Sequence, residues 1–370
     1  MKLGHLVQAL VFTTLSIGCN SSPAFVQEVA DKGNGGVQGV QDKGGEEETG
    51  PYDVVPNWLK PLPTHDAEWG FGVVAGVFAE SPDRVFVLHR GDLPKGQEGQ
   101  TAPTPPRKGN FVLVVNRNGE LIENWSQWDS KWRTPHSIHE NPYDPEHRVW
   151  IIDNGLQQIL VFSNDGKKLL MTLGEADKPG TDQTHFGGPA DIDWLPDGTF
   201  FVADGYENTR IVKFDKNGKY LMEWGTKGSA PGQMDFVHSV GIDGQRRVLE
   251  ADRRNGRIQI FDENGKFIEQ WPGIRAPTKV FPTTDGSVWV SDGTTNKILK
   301  YDRNGHLLYS WGTAGTFPGG FRDPHRISVD QEGNLYVADV NNHRVQKFTP
   351  KKNVDRSKLM GRPFGWSPLT

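Results

Sequence analysis

The sequence predicts an all-β chain closed into a ring of six four-stranded blades, and three observations predict it. A unit recurs: Val202-Ala203-Asp204-Gly205, Leu249-Glu250-Ala251-Asp252, Val290-Ser291-Asp292-Gly293 and Val337-Ala338-Asp339 are each followed by a basic residue and an apolar run, at Arg210, Arg257, Lys297 and Arg344. Asn217-Gly218, Asn264-Gly265 and Asn304-Gly305 then supply the positive φ that a tight hairpin needs. Gly (44) and Pro (25) are plentiful while long helix-period stretches are missing, so turns dominate. A period of about 40–50 residues holding four short strands is a propeller blade. A ring buries both faces of such a sheet, whereas an open stack would leave two edges unpaired.

Taken in order, residues 1–18 read as a secretory signal: Lys2 supplies charge and Leu6 to Leu15 is mostly apolar, too short to span a membrane. The only cysteine, Cys19, follows Leu15-Ser16-Ile17-Gly18 and resembles a bacterial lipobox, although Leu15 lies four residues before it rather than three. Cys19 is therefore the expected lipidation site, which puts the chain outside the cytoplasm, anchored at the cell envelope on the periplasmic or extracellular face. A lone cysteine can make no internal disulfide. Residues 19–51 are Gly-rich and acidic, with little to bury, and are expected to be a flexible tether. The propeller then occupies 52–370, with repeats over about 67–350. Two looser copies come first, Val87-Leu88-His89-Arg90 with Val112-Leu113-Val114-Val115, and Ile151-Ile152-Asp153 with Ile159-Leu160-Val161-Phe162. Trp224, Trp271 and Trp311 mark the fourth strand of later units. Tyr52 to Leu59 and Lys358 to Phe364 are the segments expected to close the ring.

The net charge of -5, with no basic field, excludes nucleic acid as a partner. The chemistry points instead to histidine. Pro135-His136-Ser137, Val237-His238-Ser239 and Pro324-His325-Arg326 open equivalent strands in alternate units, while Pro189-Ala190-Asp191 and Pro277-Thr278-Lys279 stand between them. In a six-unit ring, alternate units sit a third of a turn apart, so three imidazoles converge on the axis. Three neutral nitrogen ligands with an open position suit zinc, with iron, nickel and copper as alternatives. His139, at an odd offset from His136, is expected on the opposite strand face. His65, His147, His185, His306 and His343 lie in polar surroundings and read as surface residues. Arg90 breaks the blade pattern where an acid ordinarily sits. Arg253 follows its blade's aspartate, and Tyr206 holds the matching place in the preceding blade. All three follow second strands, whose loops open at one mouth, so they can share a pocket.

The run Asp204-Gly205-Tyr206-Glu207-Asn208, Pro231-Gly232-Gln233, His238-Ser239 and Ala251-Asp252-Arg253-Arg254-Asn255-Gly256, with His89-Arg90-Gly91-Asp92 upstream, closely resembles the peptidyl-α-hydroxyglycine α-amidating lyase family. The resemblance covers most of residues 67–350. It implies a six-bladed propeller of NHL-type repeats that cleaves the C–N bond of a peptide ending in α-hydroxyglycine, giving a peptide amide and glyoxylate. Residue by residue it implies zinc on His136, His238 and His325, Tyr206 as base, and Arg90 and Arg253 steadying negative charge. Arg326 stands where the family carries an acid tied to a structural calcium, which argues against calcium here. The family's disulfide cysteines are missing, with Glu207 where one is expected. No copper monooxygenase segment is evident, so a hydroxylated substrate would come from another chain. The expected partner is a small molecule or peptide C-terminus, and the chain is expected to act as a monomer. Two other classes compete. A non-catalytic, membrane-anchored NHL scaffold would keep the histidines as relics. A lactonase-like hydrolase would use carboxylates and Asn on calcium, and the channel positions offer histidine instead.

Overall fold

Each blade alternates apolar residues on both faces of its inner three strands, because both faces pack against neighbouring blades. Val248–Asp252 and Arg257–Phe261 are buried at every position. Outermost strands such as Tyr220–Trp224 alternate between half-buried and exposed residues, since one face meets water. The structure is a computed structural model and describes residues 48–66, 68–95 and 109–365. The expected signal, Cys19 and most of the tether lie outside the described residues. No helix among the described residues is long and apolar enough to cross a membrane.

Six four-stranded antiparallel sheets are present among the described residues, as the repeat predicts. Their innermost strands are Val74–Ser81, Pro135–Glu140, Pro189–Trp194, Val237–Ile242, Pro277–Pro282 and Pro324–Val329, numbered here as blades 1 to 6. Blades 1 to 5 build outward in chain order. Blade 6 takes its outer strand from the other end of the chain: Tyr52–Val55 runs antiparallel to Arg344–Pro350, with Tyr52 opposite Pro350. Tyr52 is fully buried against Trp311 and Phe348. Gly50 and Pro51 are buried as well, Gly50 lying against the Trp311 ring.

The other segment expected to close the ring, Lys358 to Phe364, forms no strand. After a short 3-10 turn at Arg356–Lys358 it continues as irregular chain, because Tyr52–Val55 already occupies the blade edge. It is tied down by hydrogen bonds from Met360 N to Tyr52 Oη (2.8 Å) and from Thr284 N to Arg362 O (2.8 Å).

One irregularity positions the site. In all six blades the innermost strand slips register against the second at the same point, between Val74 and Gly76, Pro135 and Ser137, Pro189 and Asp191, Val237 and Ser239, Pro277 and Lys279, and Pro324 and Arg326. The extra residues are Ala75, His136, Ala190, His238, Thr278 and His325. A bulge leaves its extra residue outside the regular ladder and re-aims it. Around the ring, imidazoles alternate with residues whose carbonyls are free to accept.

Candidate metal centre and its surroundings

The loops that carry the site are fixed by the aspartate of the repeat. Asp153 accepts the Arg133 and Thr134 backbone N–H groups (both 2.8 Å), Asp204 that of Gly187 (2.8 Å), Asp252 that of Asp235 (2.7 Å) and Asp339 that of Arg322 (2.7 Å). Arg210 and Arg257 close the same carboxylates from the third strand at 2.8 Å, and Arg344 does so at 3.0 Å. The repeat signature is thus a clamp on the loop leading into each innermost strand. The strand register corrects the expected alignment: in blade 1 His89, not Arg90, occupies the acid's place, and Arg90 is the next residue, matching Gly205 and Arg253, so Tyr206 lies one residue further along its loop than Arg253 does. There Asp92 bonds His65 (2.9 Å) and Asn110 (2.7 Å) instead.

The bulges bring His136, His238 and His325 together. Their ring centroids form a near-equilateral triangle of 5.0, 4.8 and 4.9 Å, and the three ligand nitrogens lie within 4.8 Å of one another. Each ring leans on the next blade: His136 Nδ1 on Ala190 O (2.8 Å), His238 Nδ1 on Thr278 O (2.7 Å) and His325 Nδ1 on Ala75 O (2.7 Å). A carbonyl only accepts, so each Nδ1 carries the proton and each Nε2 presents a lone pair inward. Burial holds all three imidazoles well below the ordinary histidine range. Arg326 and Arg90 add to this at His136, Arg253 and Arg326 at His238, and Arg326 and His136 at His325.

These donors fit a zinc ion. The Nε2 atoms of His238 and His325 face each other at 3.3 Å, two lone pairs with no proton between them. A tetrahedral ion with bonds of about 2.0–2.1 Å spaces its ligands by roughly 3.3 Å. The carbonyl bond at each Nδ1 is the arrangement that orients metal-binding histidines.

Tyr206 stands over this point. Its Oη donates to His136 Nε2 (2.8 Å) and lies 3.4 Å from His238 Nε2. Its ring packs on Phe236 at 4.6 Å between centroids. Gly205 lets the loop in, since a Cβ there would meet Val237 O at 2.1 Å. Arg253 Nη2 faces Asp323 at 3.5 Å, and its guanidinium lies 5.7 Å from the Phe236 ring. Arg90 reaches Pro135 O with Nε at 3.4 Å, next to His136. The three residues expected to share a mouth therefore do so.

Other expectations change. His139 is not in the trio, as expected, but the strand-parity reasoning fails: the bulge resets the alternation, and His139 meets Asp191 of blade 3 at 2.8 Å. His343 is buried, on Phe71 O (3.2 Å), and His65 is half-buried with its side chain packed on Asp92, so neither is the surface residue expected. Burial alone would raise the Asp191 carboxyl, but Lys279, Arg326 and His139 outweigh it and hold it well below the usual range. Asp191 and Lys279, ion-paired at 2.7 Å, were not singled out from the sequence. Nor were Phe236 and Asp323, which sit one residue before the innermost strands of blades 4 and 6 with φ of 69° and 68°. Aligning the repeats column by column at the bulge would have found all four.

Comparison with known proteins agrees with this architecture. Residues 321–348 match the NHL repeat family. The chain is 31% identical over 312 residues to peptidyl-glycine alpha-amidating monooxygenase B of Xenopus laevis, across 77% of this chain and 35% of that protein. It is 27% identical over 317 residues to peptidyl-alpha-hydroxyglycine alpha-amidating lyase 1 of Drosophila melanogaster, across 75% of this chain and 57% of that one. The chain thus spans about a third of the length of the Xenopus protein. A streptogramin B lyase structure superposes with a TM-score of 0.56 at 13% identity, over 81% of this chain and 98% of that one, which is a likeness of fold.

Proposed function

We propose, for a chain that is a sequence relative of the peptidyl-α-hydroxyglycine α-amidating lyases, that it is a zinc-dependent lyase of the peptidylamidoglycolate type. It cleaves the C–N bond of a peptidyl-α-hydroxyglycine, or a related carbinolamide, to an amide and glyoxylate. The observation that carries this reading is the trio of Nε2 lone pairs, each fixed by a carbonyl behind it, beside Tyr206 and two arginines.

His136, His238 and His325 would hold the ion through Nε2. When bound, zinc acts as a Lewis acid toward the substrate hydroxyl and favours its deprotonation. The chain's own residues do the rest. Tyr206 would act as its phenolate, the form that the neighbouring Arg90 and Arg253 favour, and its Oη takes the hydroxyl proton. The oxygen electron pair forms the aldehyde C=O, the C–N pair leaves with nitrogen, and nitrogen takes up a proton, so no redox cofactor is needed. Arg253 and Arg90 hold the terminal carboxylate through charge-assisted hydrogen bonds. Arg253 also faces a carboxylate of the chain itself, that of Asp323 at 3.5 Å. Phe236 packs beside Tyr206 and His238 and gives that side of the pocket an apolar wall.

The test is metal analysis of the purified chain followed by glyoxylate release from an α-hydroxyglycine peptide. About one zinc per chain, with both zinc and activity lost in His238→Ala, is expected. Far less than one zinc per chain and no glyoxylate would leave the scaffold reading in its place. We place the protein at the cell envelope through a lipid on Cys19, as a monomer that needs no calcium. Fatty-acid incorporation that persists in Cys19→Ser would exclude the anchor.

A further inference from the structure

The residue after each bulge re-enters the ladder with the second strand, and around the ring these are Gly76, Ser137, Asp191, Ser239, Lys279 and Arg326. Arg326 is 2% exposed. Its Nη2 donates to Ala190 O at 3.0 Å, and its Nη1 donates to Thr278 O. These are the two carbonyls that take the Nδ1 protons of His136 and His238. Nη2 also lies 3.3 Å from His238 O, and Nη1 3.3 Å from His325 O. The guanidinium thus touches backbone from blades 3, 4, 5 and 6.

The same nitrogens lie 3.2 Å from His136 Nδ1 and 3.5 Å from His238 Nδ1. A guanidinium has donors only. It therefore favours the Nδ1 protons only through the two carbonyls that accept them, which it holds in place. Favourable charge on the guanidinium comes first from Asp191, itself paired with Lys279 at 2.7 Å, and also from Asp323.

Resting on the zinc-lyase reading, we infer that Arg326 is a positioning residue: a built-in cation that fixes the tautomer and orientation of His136 and His238 before metal arrives. It also occupies the carbonyl cluster that, with an acid at position 326, would offer oxygen ligands to a hard divalent cation. The zinc site of this chain is therefore organised without a second ion.

The test uses the full chain as wild type, Arg326→Met and Arg326→Lys. Histidine tautomers are read by long-range ¹H–¹⁵N NMR in the metal-free protein, and zinc affinity by chelator competition. Wild type should show His136 and His238 protonated at Nδ1, with zinc affinity unchanged by calcium or by a calcium-selective chelator. Arg326→Met should mix the tautomers and bind zinc about 10–100-fold more weakly, the range for losing groups behind a ligand. Arg326→Lys should recover part of that loss. Wild-type tautomers and affinity in Arg326→Met would overturn the inference. If Arg326→Met does not fold, Nε2-protonated rings in the metal-free wild type, or calcium-dependent zinc binding, would overturn it instead. A wild type that binds zinc as described but releases no glyoxylate overturns the substrate assignment and leaves Arg326 its role.

Discussion

Tyr206→Phe separates chemistry from metal binding. The substitution removes one oxygen, which lies 2.8 Å from His136 Nε2 and 3.4 Å from His238 Nε2. It keeps the ring packed on Phe236 at 4.6 Å and on His136 at 5.1 Å, so the loop should not move. A positioned acid or base contributes about 10²–10⁴-fold to rate. At about 1.36 kcal/mol per tenfold, the barrier should rise by roughly 3–5 kcal/mol. The proton would come from a substrate bound through other groups, so the loss should fall on kcat with KM within a few-fold. The Nε2 bonds made by the phenol are those the ion would replace, so zinc affinity should stay within about threefold of wild type, far inside the 10–100-fold that losing a group behind a ligand costs. The assay is steady-state glyoxylate release with zinc measured on the same samples. A kcat within tenfold of wild type would refute Tyr206 as the base. Loss of zinc would refute the division of labour altogether, by making the phenol a ligand.

Gly205→Ala should displace the same tyrosine from behind: its Cβ would sit 2.1 Å from Val237 O, backbone that cannot yield, so activity should fall about 100-fold while zinc content holds. Tyr52→Ala should cost about 3–5 kcal/mol in chemical denaturation, because a fully buried ring in the closing strand is lost along with the hydroxyl that accepts Met360 N–H. Burial, with Glu80 beside it, pushes the Glu140 carboxyl from 4.5 up to about 9. A raised folded-state value means that its contribution is whole below about pH 4.5 and fades as pH climbs to about 9, by at most about 1.4 kcal/mol per unit. Glu140→Gln should therefore gain on wild type in urea melts as pH rises from 5 to 9, and parallel curves would refute this.

Blade count, strand order and the histidine trio could be read from the chain because each rests on spacing within a repeat. Asn217-Gly218 and Ala251-Asp252 stand at the same distances from His238 as Asn304-Gly305 and Ala338-Asp339 do from His325, so equivalence in sequence becomes equivalence in the ring. Arg90, Tyr206 and Arg253 were legible for the same reason, as residues just past second strands. What spacing cannot show is a change of phase. The bulge at His136 turned His139 toward the neighbouring blade that His136 also faces, against simple alternation, where it meets Asp191. His65 looked exposed because its neighbours in sequence are polar, yet its side chain packs on Asp92, distant in sequence. The C-terminal segment could not be told from a closing strand, since both termini offered apolar residues and only one edge was open.

The bond from His325 to Ala75 joins residues 250 positions apart, from the last blade to the first. This third imidazole of the proposed zinc site can be oriented only once the two ends of the chain have met. A nascent polypeptide has no complete histidine trio until its final blade is made, so capture of the proposed zinc would be among the last events of maturation. Once captured, the ion would rivet the seam where a circular molecule is easiest to open.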